Sequence, residues 1–205
     1  MLRTGQDQQP GLRERKKART RASLREHALR LFREQGYQAT TVEQIAAAAE
    51  VSPSTFFRYF PTKEDVILQD DMDTRMIEAL EQQPPELGSI AAMRAAIRQQ
   101  SDSYSAEEVD VLTETAKLSM TVPEIRARAI DEFARAITGL SEALARRAGR
   151  PPDDLAVRTA AGAVIGVVMS VTMPWDGWPG RHRDIKQMFT EIDEALGLLE
   201  AGLPL

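Results

Sequence analysis

The chain has no cysteine among its 205 residues. That excludes a disulfide framework, a thiolate zinc site and a cysteine nucleophile. Histidine is almost as scarce: His27 and His182 stand at opposite ends of the sequence. HExxH, GxSxG and a phosphate-cradling glycine loop are missing, as is any cluster of metal-ligand type. Paired acids such as Glu107-Glu108, Asp70-Asp71 and Asp153-Asp154 fall where helix surfaces or caps would put them. No residues remain to run a reaction, so the expectation is a non-enzyme with no cofactor and no metal. The N-terminal MLRTGQDQQPG lacks an apolar h-region, so no secretory signal is expected and the expected location is cytoplasmic. Strand-type alternation of β-branched residues is nearly absent, which leaves an all-α chain.

What is present is globular in balance, with 42% hydrophobic and 28% charged residues. The net charge of -5 hides an asymmetry. Residues 1–66 hold 12 Lys and Arg against 8 Asp and Glu, whereas the remainder holds 14 against 23. A basic N-terminal part on an acidic body points to a polyanion as the partner of one end.

Residues 1–12 read as a flexible arm leading into a basic cluster that begins at Arg13. A first helix is expected over Leu12–Gln35, where Leu24, Ala28, Leu31 and Phe32 form one apolar stripe and Gly36 provides a terminator. Thr41 with Gln44 matches a capping box opening a short second helix that ends near Ala49. Ser52 with Pro53 at the first helical position opens a third, which Pro61 stops. Thr62 caps a fourth that reaches about Gln82. Longer helices then follow over about 89–101, 106–119, 123–148, 153–173 and up to 199, about nine in all. Thr121 with Glu124 is a second possible capping box.

The stretch VSPSTFFRYFPTKED concentrates aromatics in a chain that has only 5% of them. Two short helices joined by a tight turn make a helix-turn-helix. On a helix starting at Pro53, Phe56, Phe57 and Phe60 fall on the inward side, because so short a helix cannot hold itself together in water. Ser54, Thr55, Arg58 and Tyr59 fall on the outward side, with side chains suited to phosphates and base edges.

The run TTVEQIAAAAEVSPSTFFRYFPTKEDVI, preceded by ALRLFREQGY, resembles the N-terminal DNA-binding domain of the TetR family of transcriptional regulators over about residues 15–67. The resemblance implies a helix-turn-helix domain (13–66) followed by a larger helical ligand-binding and dimerisation domain (67–205). It implies a homodimer, most naturally a repressor, released from a palindromic double-stranded DNA operator by a small-molecule effector. LRERKKARTR with TFFRYFPTKED is closest to a branch associated with acyl-CoA-like ligands. Carried over by position, Thr41 caps the second helix and reaches a phosphate. Ser52 and Ser54 open the recognition helix, Thr55 and Tyr59 enter the groove, Arg58 bonds guanine or phosphate, and Lys63 grips a phosphate. The chain departs from the family pattern at Glu50, where glycine is frequent, and at Phe57, where tyrosine is frequent.

Arg13, Arg15, Lys16, Lys17, Arg19 and Arg21 crowd the start of the first helix. They read either as a phosphate-attracting patch or as a solvated, frayed helix end. In the second domain, Thr159–Trp175 carries no charge but is interrupted by Gly162, Gly166, Ser170 and Pro174, so it reads as a bundle helix and not a membrane span. The spacing of Gly162, Gly166 and Ser170 places small residues on one face, suited to close approach of another helix, either in a dimer or within the monomer. Met120, Phe133, Met169, Met173 and Trp175 are candidates for lining an apolar effector cavity. Trp175 and Trp178 share a Pro/Gly loop that could cap a pocket or the bundle end. Two other readings stay open. A helical DNA-binding protein without effector would show DNA affinity indifferent to small molecules, and a protein–protein adaptor would show no sequence-specific DNA binding.

Overall fold

A computed structural model describes residues 11–68, 72–173 and 184–204. Among them the chain forms ten helices and divides into two compact units, Met1–Gln69 and Asp70–Leu205. The first holds α1 (Leu12–Gln35), α2 (Val42–Ala48), α3 (Pro53–Tyr59) and α4 (Asp65–Leu68). The second holds α5 (Met72–Glu81), α6 (Ser89–Ser103), α7 (Ala106–Thr121), α8 (Pro123–Ala148), α9 (Leu155–Thr172) and α10 (Ile185–Glu200).

Local signals explain most boundaries of the first unit. Gly36 ends α1 at φ 85, its N–H bonded to the Phe32 carbonyl. Thr41 and Gln44 form the full reciprocal box at the start of α2. Beyond α2 the chain closes in a Schellman turn: Val51 N–H reaches the Ala46 carbonyl at 2.9 Å and Glu50 N–H the Ala47 carbonyl at 3.1 Å. Glu50 takes the left-handed position at φ 55 that glycine would take without strain. Thr62 and Asp65 cap α4 reciprocally, each side chain accepting from the other's backbone N–H at 3.3 and 3.0 Å. Leu24, Ala28, Leu29 and Phe32 of α1, Ile45 and Ala46 of α2, Phe56 and Phe60 at α3, and Val66 and Ile67 of α4 make the core.

In the second unit α8 packs on α5, α7 and α9, and α10 packs on α6, α7 and α9. Leu80, Met93, Ile97, Leu140, Leu144, Val164, Phe189 and Leu196 are among its core residues. Tyr104 stacks on Phe189, ring centroids 5.9 Å apart. Polar ties flank that core. Arg94 of α6 bonds Asp193 at 2.9 Å and Glu200 at 2.8 Å, and Arg98 bonds Asp193 at 2.8 Å. Arg147 of α8 donates to the carbonyls of Gln83, Pro84 and Leu87, fastening the α5–α6 connection.

The expected fourth helix, from Thr62 to about Gln82, falls on α4 and α5, and residues 69–71 between them lie outside the described residues. Two expectations need correction. Thr121 does not cap α8. It is the last residue of α7, and its hydroxyl donates to the Lys117 carbonyl at 2.8 Å, the i−4 bond open to any helical threonine. Phe57 is not a core residue: it is 50% exposed while Phe56 and Phe60 are fully buried. Phe56 and Phe60 are four apart and share a face, and Phe57 stands 100° around the helix from Phe56.

Candidate nucleic-acid interface

The turn and α3 form a polar head on an aromatic base. Phe56 packs against Phe60 at 5.7 Å and edge-on to Phe57 at 5.6 Å. The Arg21 guanidinium lies 5.2 Å over the Phe60 ring, so α1 clamps the end of α3 from the other side. Ser52 is the N-cap: its hydroxyl accepts from Thr55 N–H at 3.2 Å and sits 2.8 and 2.9 Å from the hydroxyls of Ser54 and Thr55. Ser54 and Arg58 are exposed, and Thr55 and Tyr59 are half-buried. Arg58 leans along the helix, its guanidinium 5.4 Å from the Tyr59 ring centre. Ser52, Ser54, Thr55, Arg58 and Tyr59 thus gather on and around one seven-residue helix.

Thr41 and Lys63 belong to the frame of this head. Thr41 is exposed, but its hydroxyl holds Gln44 N–H at 3.2 Å. Gln35 of α1 ties that cap to the preceding turn by donating to Gln44 at 2.9 Å and to Thr40 at 3.1 Å. The Lys63 ammonium donates to the carbonyls of Tyr37 and Thr40, each at 3.0 Å, and lies 3.9 Å from the Tyr37 ring centre. Two of its three N–H donors are spent on the α1–α2 connection, and one remains for an anion. Sequence reasoning missed this second duty, and the 26-residue separation of Tyr37 and Lys63 carries no local signal for it.

Glu64 completes the polar frame. Burial pushes its carboxyl up. The hydrogen bonds from the Tyr37 hydroxyl, its own backbone N–H and Thr62, with the charge of Lys63, outweigh that and hold it below its ordinary value. The anion therefore stays ionised beside the lysine and offsets part of its charge. Net positive charge comes instead from α1, where Arg13, Arg15, Lys16, Lys17 and Arg19 are all exposed.

Phe133 and Met169 pack against the second core, Met120 and Met173 are half-buried near the ends of α7 and α9, and Trp175 lies outside the described residues, as do Trp178 and His182. A shallow groove of about 760 Å³ opens between α6, α9 and α10, lined by residues including Ile90, Arg150, Leu155, Ala163 and Leu199, and none of the four described effector candidates is among its lining residues. Among the described residues, no group of three or more His, Cys, Asp or Glu is placed to hold a metal. Helix α9, with a mean hydropathy of 1.7, is long and apolar enough by length and composition to cross a membrane. Its Val157, Ala161, Val164 and Ile165 are buried in the second unit.

Comparison with known proteins places these features in a wider set. Residues 24–69 match the bacterial regulatory proteins of the tetR family, and residues 87–204 match the MftR C-terminal domain. The transcriptional regulator TcmR of Streptomyces glaucescens is 50% identical over 91 residues, covering 43% of this chain and 40% of that protein. The regulator MftR of Mycobacterium tuberculosis is 25% identical over 193 residues, covering 92% of this chain and 93% of that one. Among solved structures, SmeT, the repressor of the Stenotrophomonas maltophilia multidrug efflux pump SmeDEF, shares the fold with a TM-score of 0.54 at 20% identity, over 89% of each chain.

Proposed function

The chain belongs to the TetR family of bacterial transcriptional regulators, with an MftR-type C-terminal domain, and from that premise we propose a specific assignment of parts. The protein is a DNA-binding transcriptional regulator, built as family members are with an N-terminal helix-turn-helix and a C-terminal ligand-binding domain. Ser54, Thr55, Arg58 and Tyr59 read base edges and phosphates of one half-site. Thr41, Ser52 and Lys63 hold the head in register, with Lys63 giving its remaining N–H to a phosphate. The observation that carries this reading is the construction of α3. It is too short to be stable alone, yet it is capped by Ser52 and anchored by two fully buried phenylalanines, which leaves its polar side chains fixed rather than loose.

Two such heads on a homodimer would meet half-sites about one DNA turn apart, hence a palindromic operator. The faces of α9 and α10 left open in the single chain would join the copies: Leu155 is 76% exposed and Leu198 55% exposed. The regulator would act as a repressor. A small apolar effector, acyl-CoA-like in character, would release it by binding more tightly to the dimer conformation whose heads are wrongly spaced. The protein would work in the cytoplasm, where the chromosome is.

The test is to capture fragmented genomic DNA with the purified protein and sequence it, beside a Thr55→Ala, Tyr59→Ala variant. Enrichment of a short palindrome by the wild type and not by the variant is expected. Equal enrichment by both would remove α3 from the reading role, and enrichment of nothing by either would remove the DNA-reading assignment.

A further inference from the structure

Helix α1 is twice as long as its core requires. Its first buried residue is Leu24, and every described side chain from Leu12 to Arg19 is exposed. The stretch from Leu12 to Ser23 extends roughly 18 Å at 1.5 Å per residue. Where tertiary contact begins is marked by Arg21, whose guanidinium reaches the Phe60 ring.

This leading segment is electrostatically adverse to itself. Arg13 and Arg15 stand in the first turn, where the helix dipole favours acids, and Gly11 provides no side-chain cap. Arg13–Lys16, Arg13–Lys17, Arg15–Arg19 and Lys16–Arg19 are like-charge neighbours at i,i+3 or i,i+4 spacing. A helical segment of this length with no buried face is marginal in water even without such repulsion. The residues themselves, mostly Arg, Lys, Glu, Ala and Leu, are good helix formers, so only charge and lack of packing oppose the helix.

We infer that the first three turns of α1 are a DNA-ordered basic spur, a helix completed when the phosphate backbone flanking the half-site supplies the missing negative charge. The inference rests on the DNA-reading assignment of the same unit and extends it to a second, sequence-independent contact surface. One duplex backbone answers each defect together. It is a line of anions, with one charge per about 1.7 Å of axis. It neutralises the repelling cations and sits favourably at the positive end of the helix. The contacts would lengthen the footprint without adding base specificity.

The test uses the full-length protein and a mixed-sequence duplex of about 30 base pairs, so that it does not depend on knowing the operator. Amide hydrogen exchange is followed over residues 12–22 with and without duplex, and binding is titrated against salt for the wild type and for Lys16→Gln, Lys17→Gln, Arg19→Gln together. Fast exchange of 12–22 in the free protein, slowed about tenfold or more by duplex, is expected. The triple variant should bind more weakly at low salt, with a log–log salt slope shallower by about 3 if each lost cation had neutralised one phosphate. Parallel salt slopes, or equal protection of 12–22 with and without duplex, would overturn the inference. The exchange measurement needs no variant and stands even if the triple substitution disturbs folding. Failure of the spur alone would leave palindrome enrichment from genomic DNA intact. Failure of the reading head would abolish that enrichment and leave the salt slopes different.

Discussion

Removing the ring of Phe56 should disarm the DNA-reading unit by loosening its core rather than by removing a contact to DNA. Phe56 is fully buried, packs on Phe60 and Phe57, and is the buried residue of a seven-residue helix. Phe→Ala at such a site costs about 3–5 kcal/mol in lost transfer energy and cavity formation. The unit it belongs to has fewer than 70 residues, and typical stabilities scale to about 3–10 kcal/mol for that length. The substitution therefore consumes a large share of the total. Phe57→Ala is the matched control, because that ring is half-exposed and an exposed-site change costs about 1 kcal/mol or less. The assay is native-state amide exchange at Ile45, Val66 and Ile67, buried positions on α2 and α4. Phe56→Ala should lower their protection by about 100-fold or more, from 1.4 kcal/mol per decade, and Phe57→Ala by less than about tenfold. Equal losses, or a larger loss from Phe57→Ala, would refute the claim that Phe56 anchors the head.

Other outcomes follow from the same geometry. Phe57→Tyr places a phenol on an exposed ring beside the reading head, and a new phosphate bond of about 0.5–1.5 kcal/mol should tighten operator binding about 2- to 10-fold in fluorescence anisotropy; unchanged affinity would put position 57 outside the footprint. The Glu64 carboxyl is held below its ordinary 4.5 in the folded protein. Its contribution to stability is present above the unfolded value and is lost as pH falls through the lower folded one. Tyr37→Phe should therefore flatten the acid limb of unfolding below about pH 5, where unfolded glutamates titrate, and an unaltered limb would mean that the Tyr37–Glu64 bond does not set it. In α10, a Cβ on Gly197 would come within 3.2 Å of the Arg94 guanidinium carbon. Gly197→Ala should stabilise by about 0.5–1 kcal/mol in an Arg94→Ala background and by less in the wild type. Equal effects in both backgrounds by denaturant unfolding would show that Arg94 does not require the glycine.

What was legible in the sequence was local. The Thr41–Gln44 box, the Ser52 cap with Pro53, and the glycines after α1 and α8 each act within four or five residues, and each sits where its chemistry requires. The left-handed Glu50 was signalled by the family resemblance instead, through the glycine frequent at that position. Thr121 shows the limit of local rules. A threonine can cap the next helix or bond back to its own, and only the geometry of the α7–α8 corner decides. Phe57 shows another, because on a two-turn helix a side 100° from the core can face either way. Contacts across long separations left no trace in the sequence. Lys63 on the Tyr37 and Thr40 carbonyls, Arg147 on the α5–α6 connection, and Arg94 across Gly197 are all of this kind.

Helix α9 carries a conflict that its own chain does not resolve. Glycine in a helix interior costs about 0.5–1 kcal/mol relative to alanine, and α9 has Gly162 and Gly166 one turn apart. Among the described residues, a Cβ built on either meets nothing within 4 Å, so no described neighbour demands a glycine there. Ser170, one turn further on, is exposed as well. The other side of the helix is already committed to the core through Val157, Ala161, Val164 and Ile165. Small residues at four-residue spacing gain nothing from their missing side chains unless a second helix approaches closely enough to use them. In the proposed homodimer a second copy of the chain would supply that helix, and it would also supply the second recognition helix that a two-fold operator needs. The same dimer would thus account for an unfavourable local choice in α9 and for a reading head that is half of a site.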